Sequence, residues 1–245
     1  MSLRDRLSGK PTATAGPTAP TAPAQPAPGI RSLVKTAGVS LTKHGLGDAR
    51  AAVYLVLDHS GSMRPHYATG AVQRITEQAL GLAVNLDDDG TVPVIAFSSC
   101  AEPPVQVSLG NFPGAADRIS RTARWGSTDY VAAMEAVVTH HTMTAAPGTP
   151  ALVVFQTDGE PDQPDMTAFL LRNLSTAPVF WAFVGFGDRV RFLERLDTLD
   201  SRLVDNASFF HAADPFQVSD AELYDGITGQ YAAWLRDARA ARIVR

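Results

Sequence analysis

The sequence predicts an α/β protein built on a doubly wound, mostly parallel six-stranded sheet flanked by helices. Three observations predict it. Runs at 51–57, 151–156 and 179–186, apolar at every position but Gln156, have the length and the β-branched and aromatic content of strands buried on both faces, as parallel strands are. Between them lie segments whose apolar residues recur every three and four positions, and strands alternating with such helices are the pattern of a parallel sheet with crossover connections. The chain has 245 residues and is 45% hydrophobic, enough for one sizeable core, and no internal repeat divides it.

Taken in order, residues 11–28 hold 16 Pro, Ala or Thr among 18, too little apolar bulk to offset ordering. Residues 1–29 are therefore expected to be a disordered tail, equally compatible with a tether, a phosphorylation target on its four threonines or a simple extension. Residues 30–245 are expected to form the domain. Within it, 30–47 is a helical extension on Leu33, Val34, Ala37 and Leu41, followed by the first strand. Val72, Ile75, Ala79, Leu82 and Leu86 make one apolar helical stripe.

Residues 85–90 resemble half of a calcium loop, but Ala96 stands where a bidentate Glu is required, so a helix end and turn is expected there. Residues 91–97 read as the second core strand and 105–107, flanked by Pro103 and Pro104, as a short antiparallel edge. Val131, Met134, Val137 and Val138 mark a helix; Phe169, Leu170 and Leu174 mark another, with Asp162 or Asp165 as its expected cap. Val190, Leu193 and Leu196 lie on a short helix and 207–211 on an edge strand. Ser219 and Glu222 fit a capping box that opens a last helix with Leu223, Ile227, Tyr231 and Trp234 inward.

Composition excludes several classes. Net charge is −4, and from residue 30 onward 18 basic residues face 24 acidic ones, so no basic footprint for nucleic acid or attraction to an acidic membrane surface is expected. No run of about 18 apolar residues exists, and residues 1–6 lack the apolar core of a signal peptide, which makes cytoplasm the expected compartment. Cys100 is the only cysteine, so no intramolecular disulfide forms; it is expected as a small, partly buried side chain.

The informative residues stand where strands end. Asp58, Ser60 and Ser62 follow the first strand at i, i+2 and i+4, with Gly61 permitting a curled loop. The carboxyl edge of a parallel sheet is where ligands bind, and a carboxylate with hydroxyls suits a hard cation. A second buried strand ends in Thr157-Asp158-Gly159, and a Gly-led turn presents Thr128 ahead of a helix.

These five residues resemble the metal-ion-dependent adhesion site of the von Willebrand factor A (vWA) family, of the form D-x-S-x-S, then T, then D. Here they are Asp58, Ser60, Ser62, Thr128 and Asp158, separated by 66 and 30 residues at the two long intervals. The likeness covers roughly residues 50–240. It implies a Rossmann-like sheet and a bound Mg²⁺, or alternatively Mn²⁺ or Ca²⁺. The serines and threonine would contact the ion directly or through water, the aspartates largely through water. A partner's Asp or Glu carboxylate would complete the octahedron. The stretch from Ser32 to Lys35 and on through Leu41, Thr42 and Lys43 resembles the bacterial branch associated with tellurium resistance.

Enzyme chemistries lack their parts. A haloacid-dehalogenase-like phosphatase needs a second Asp at position 60; there is no G-x-S-x-G elbow, and the only lysines, Lys10, Lys35 and Lys43, lie in no phosphate loop. No His-x3-His or Cys-x2-Cys pattern favours zinc. His59 is expected to point away from the serines, His140 and His141 to sit at a helix end, where cationic side chains suit the dipole, and Trp125 and Trp181 to be core, with Trp125 placed to line the site. The expectation is a non-enzymatic, metal-dependent protein-interaction module in a metal-stress or tellurium-resistance system. The alternative is a non-catalytic subunit of an ATPase- or chelatase-type complex.

Overall fold

The structure, a computed structural model, describes residues 28–245. Apart from its last two residues, the expected tail lies outside them. Those two already belong to the first helix, α1 (Pro28–Lys43), so the domain opens slightly earlier than its apolar spacing suggested.

The chain then runs β1 (Ala52–Asp58), α2 (Arg64–Ala68), α3 (Ala71–Leu86), β2 (Val92–Phe97), β3 (Val105–Val107), α4 (Ala115–Thr122) and α5 (Tyr130–Thr144). It continues through β4 (Ala151–Thr157), α6 (Pro164–Asn173), β5 (Val179–Phe186), α7 (Arg191–Asp197), β6 (Ala207–Ala212) and α8 (Asp220–Ala240). The strands form one sheet in the order β3-β2-β1-β4-β5-β6, parallel throughout except for the β2–β3 pair.

Strand alternation divides the core into two layers. Val53, Leu55 and Leu57 of β1, with Leu152 and Val154 of β4, pack on the side of α1, α3, α4 and α8. Tyr54, Val56, Val153, Phe155, Trp181 and Phe183 pack on the side of α5, α6 and α7. Both faces of β1, β4 and β5 are thereby closed, which is why those strands read as continuous apolar runs.

α1, α3 and α8 approach closely. A side chain on Gly81 would meet the Tyr224 hydroxyl at 2.6 Å and the Leu33 carbonyl carbon at 3.2 Å, so only glycine fits. Ser219 caps α8 by the expected box: its hydroxyl accepts from the Glu222 amide at 3.2 Å, and the Glu222 carboxylate accepts from the Ser219 amide at 2.9 Å. Among the described residues no helix is long and apolar enough to cross a membrane.

The structure departs from the sequence reading in several places. The helix expected to start at the metal loop is divided: a short 3₁₀ turn and α2 come first, and α3 begins only after Gly70, whose φ of 85° no L side chain adopts easily. α4, a short and mostly polar helix, was not anticipated. Cys100 is exposed, not partly buried. The chain reverses immediately after β2, with the Ser98 amide donating to the Cys100 carbonyl at 2.9 Å and Phe97 bridged to Ala101, so the tip of this turn faces outward. Nor does His141 serve as a cation at the end of α5. Its ring is buried, which holds its pKa below the ordinary histidine range, and Nε2 bonds the Thr149 carbonyl at 2.9 Å.

Candidate metal centre

From β1 the chain steps outward through β2 and β3, then returns to place β4 on the other side of β1. The carboxyl ends of β1 and β4 therefore flank the point where the winding reverses, the crevice in which open α/β sheets bind ligands. Asp58 ends β1 and Asp158 follows β4 directly.

Asp58 is fully buried. Its Oδ1 accepts from the Ser60 amide at 2.7 Å and its Oδ2 from the Thr157 hydroxyl at 2.6 Å. Burial pushes the carboxyl up to about 6; the bonds from Thr157 and Ser60 pull the other way, and Asp158 adds a small upward push. The Ser60 and Ser62 hydroxyls are 3.1 Å apart, and Ser62 donates to Asp158 Oδ1 at 2.8 Å. Ser60, Ser62 and Asp158 thus form a hydrogen-bonded chain of side-chain oxygens, to which the Ser60 amide ties Asp58.

Thr128 is brought to the same edge by its backbone. Gly126 forms a parallel bridge with Ser60, and its carbonyl accepts from the Gly61 amide at 3.3 Å. On the other flank the Thr128 amide donates to Asp162 Oδ2 at 3.1 Å, and the Asp162 amide donates to the Thr128 carbonyl at 2.9 Å. Asp129 then caps α5 by accepting from the Ala132 amide at 3.0 Å. Among the described residues no hydrogen bond joins the Thr128 hydroxyl to the other four side chains.

Several residues of this architecture were invisible in the sequence. Asp162 or Asp165 was expected to cap α6; instead Gln163 stands at that N-cap with no side-chain bond, and the Asp162 carboxylate pins the threonine loop. Glu160, the other acid of that segment, accepts from the Phe192 amide at 3.1 Å. Thr157 is the donor that makes a buried Asp58 tolerable, and the only hint of it was its place beside Asp158. Gly126 is obligatory because a Cβ there would fall 2.5 Å from the Ser99 hydroxyl and 3.0 Å from that of Ser98.

His59 points away from the serines, as expected, but into the protein. Its ring stacks on Trp125 with centroids 3.6 Å apart, and its nitrogens engage the Ser120 hydroxyl at 2.9 Å and the Arg124 carbonyl at 3.0 Å. Burial holds its pKa below the ordinary range, so the ring is neutral at physiological pH. Trp181 is core, whereas Trp125 is half-buried beside the site. Another ring, His66, brings Nε2 to 4.0 Å from Asp158 Oδ2.

The donor set suits a hard divalent cation. It consists of oxygens only, with two carboxylates to offset charge and neutral hydroxyls between them. An octahedral ion with bonds of roughly 2.0–2.1 Å places adjacent ligand oxygens about 2.9 Å apart. The separations of 2.8 and 3.1 Å along the Asp158–Ser62–Ser60 chain match that edge. Among the described residues no group of three or more His, Cys, Asp or Glu side chains is placed to hold a metal, so the hydroxyls are an essential part of this donor set.

Comparison with known proteins agrees with this architecture. Residues 50–244 match the vWA-TerF-like family model, described as the vWA found in the TerF C terminus. The uncharacterized protein YcbR of Bacillus subtilis is 35% identical over 216 residues, covering 86% of this chain and 88% of its own. Among solved structures, a von Willebrand factor type A protein from Catenulispora acidiphila aligns with a TM-score of 0.53 at 19% identity, over 75% of this chain and 43% of that one. Proximal thread matrix protein 1 from the mussel byssus aligns at 0.52 and 16% identity, over 75% and 46%. The chain spans less than half of either solved protein, and at these identities both likenesses concern the fold. From the matched family model and the YcbR relationship, the chain belongs to the vWA-TerF-like family.

Proposed function

We propose that this protein is a cytoplasmic, metal-dependent protein-interaction module that captures an acidic side chain of a partner. The observation that carries the reading is the chain of oxygens from Ser60 through Ser62 to Asp158, at octahedral spacing, with Asp58 held beside it by the Ser60 amide at the winding reversal of the sheet. Ser60, Ser62 and Thr128 would hold the ion, with Asp58 and Asp158 offsetting its charge. When bound, Mg²⁺ supplies a Lewis-acidic seat for a carboxylate.

The chain's own residues do the positioning. Thr157 and the Ser60 amide fix Asp58, Ser62 orients Asp158, and Asp162 with Gly126 sets the threonine loop. The hydroxyls add no negative charge of their own, and an octahedral ion keeps a coordination position for an anionic ligand. His59, with both nitrogens committed, offers the cluster no free base. The kinship with TerF supports a setting in metal stress or tellurium resistance.

The test is a thermal melt of the wild type and Thr128→Val in EDTA and in millimolar Mg²⁺. A ligand bound to the native state at ~100-fold saturation stabilises by roughly 2.7 kcal/mol. The wild type should gain about that much and the valine variant much less. A wild type indifferent to Mg²⁺, Mn²⁺ and Ca²⁺ refutes the reading. A pull-down with and without Mg²⁺ then isolates the partner, and an ATPase that co-purifies and is stimulated would identify the chain as a subunit of such a complex.

A further inference from the structure

Carboxylate capture leaves open what else the partner meets, and the rim of the site holds a cation with no task in the fold. Arg64 lies two residues after Ser62 in the chain and is exposed. Its guanidinium carbon sits 4.2 Å over the centroid of Trp125. Trp125 rests on His59, and Tyr67 closes edge-on against both rings at 5.1 and 5.5 Å. With His59 held through both nitrogens, the platform under Arg64 is fixed to the end of β1. Among the described residues no carboxylate lies within ion-pair distance of Arg64 and no hydrogen bond engages it, so the guanidinium keeps its donors for a ligand.

Charge makes this cation consequential. Asp58 and Asp158 alone cancel a divalent ion, and Glu160 and Asp162 on the same loop take the neighbourhood below neutrality. An approaching carboxylate gains contact with the ion but no net attraction from this group. Arg64 supplies that attraction, and because it is already ordered on Trp125 it loses little side-chain freedom on binding.

Resting on the reading above, we infer that Arg64 is the specificity-determining residue of the site and that the partner presents two adjacent acidic residues. One carboxylate takes the place at the Ser60–Ser62–Thr128 hydroxyls, and its neighbour pairs with the Arg64 guanidinium. A guanidinium that merely covered Trp125 would contribute to packing and not to discrimination between ligands.

The experiment titrates the full chain with blocked tetrapeptides Ac-Gly-X-X-Gly-NH₂ in which X-X is Asp-Asp, Asp-Asn, Asn-Asp or Asn-Asn. Each is run in millimolar Mg²⁺ and in EDTA, followed by the NMR shift of the Trp125 indole N–H. In Mg²⁺ the Asp-Asp peptide should bind roughly three- to tenfold more tightly than either mono-acid, the range expected of an exposed but pre-ordered ion pair. Arg64→Gln should remove that preference, weakening Asp-Asp binding more than mono-acid binding, while Arg64→Lys should keep part of it. Equal binding of mono- and di-acid peptides by the wild type, or a preference that survives Arg64→Gln, overturns the inference alone. No Mg²⁺-dependent binding of any acidic peptide overturns carboxylate capture and this inference with it.

Discussion

Replacing Asp58 by Asn should stabilise the metal-free protein and abolish its response to metal. The carboxyl is fully buried and pushed up to about 6 by burial. Its unfolded counterpart titrates near 3.9, so at neutral pH the ionised group costs the metal-free fold roughly 3 kcal/mol, at about 1.36 kcal/mol per pH unit. The sign follows from proton counts: between about pH 4 and 6 the native state holds a proton that the unfolded chain has released, so stability falls as pH rises through that window. Asn carries no such cost. It keeps an oxygen for the Ser60 amide but turns an NH₂ toward Thr157, whose hydroxyl loses its acceptor, a penalty of about 1 kcal/mol. The net gain at pH 7 in EDTA is about 2 kcal/mol, or roughly 4–8 °C in Tm for a domain of this size. The assay is a set of calorimetric melts from pH 4 to 8, with EDTA and with Mg²⁺. The gap between variant and wild type should be small at pH 4, open toward pH 6, and reverse in saturating Mg²⁺, where only the wild type is stabilised. An Asn variant less stable than wild type in EDTA at pH 7, or one that gains as much from Mg²⁺, would refute the reasoning.

Two further substitutions separate the site from the scaffold. Gly126→Ala places a Cβ against the Ser98 and Ser99 hydroxyls and should shift the threonine loop; melts should show the Mg²⁺-dependent gain reduced by half or more, with stability in EDTA changed by about 1 kcal/mol at most. Gly81→Ala forces Tyr224 from its buried bond to the Gln78 carbonyl and crowds Leu33 of α1; denaturant unfolding should show a loss of about 2–4 kcal/mol with the Mg²⁺ increment intact.

Much of this molecule is legible in one dimension. The fold class followed from runs such as 51–57 and 179–186, because a strand buried on both faces must be apolar at every position, and no tertiary knowledge is needed to see that. The capping box at Ser219 and the helix end after Leu86 were likewise local, since their partners lie within a few residues in the chain. The five site oxygens were legible for a related reason: each stands at a strand end or a Gly-led turn, where the sheet topology carries it to a single edge.

What only the tertiary structure decided is how those oxygens are held. Asp162 looked like a helix cap because its sequence neighbours begin a helix, yet its bond runs to an amide 34 residues away. Thr157 reaches Asp58 across 99 residues, and His59 is buried by Trp125, which no spacing rule connects to it. α2 and α3 divide at Gly70, which takes a left-handed turn that the apolar stripe does not report. Hydrophobic periodicity reports which face of an element is covered; it carries no information about which distant polar group will meet which. The residues gathered at that edge were therefore readable from sequence, while their supporting bonds and the Arg64–Trp125 rim came into being only when the strands were brought side by side.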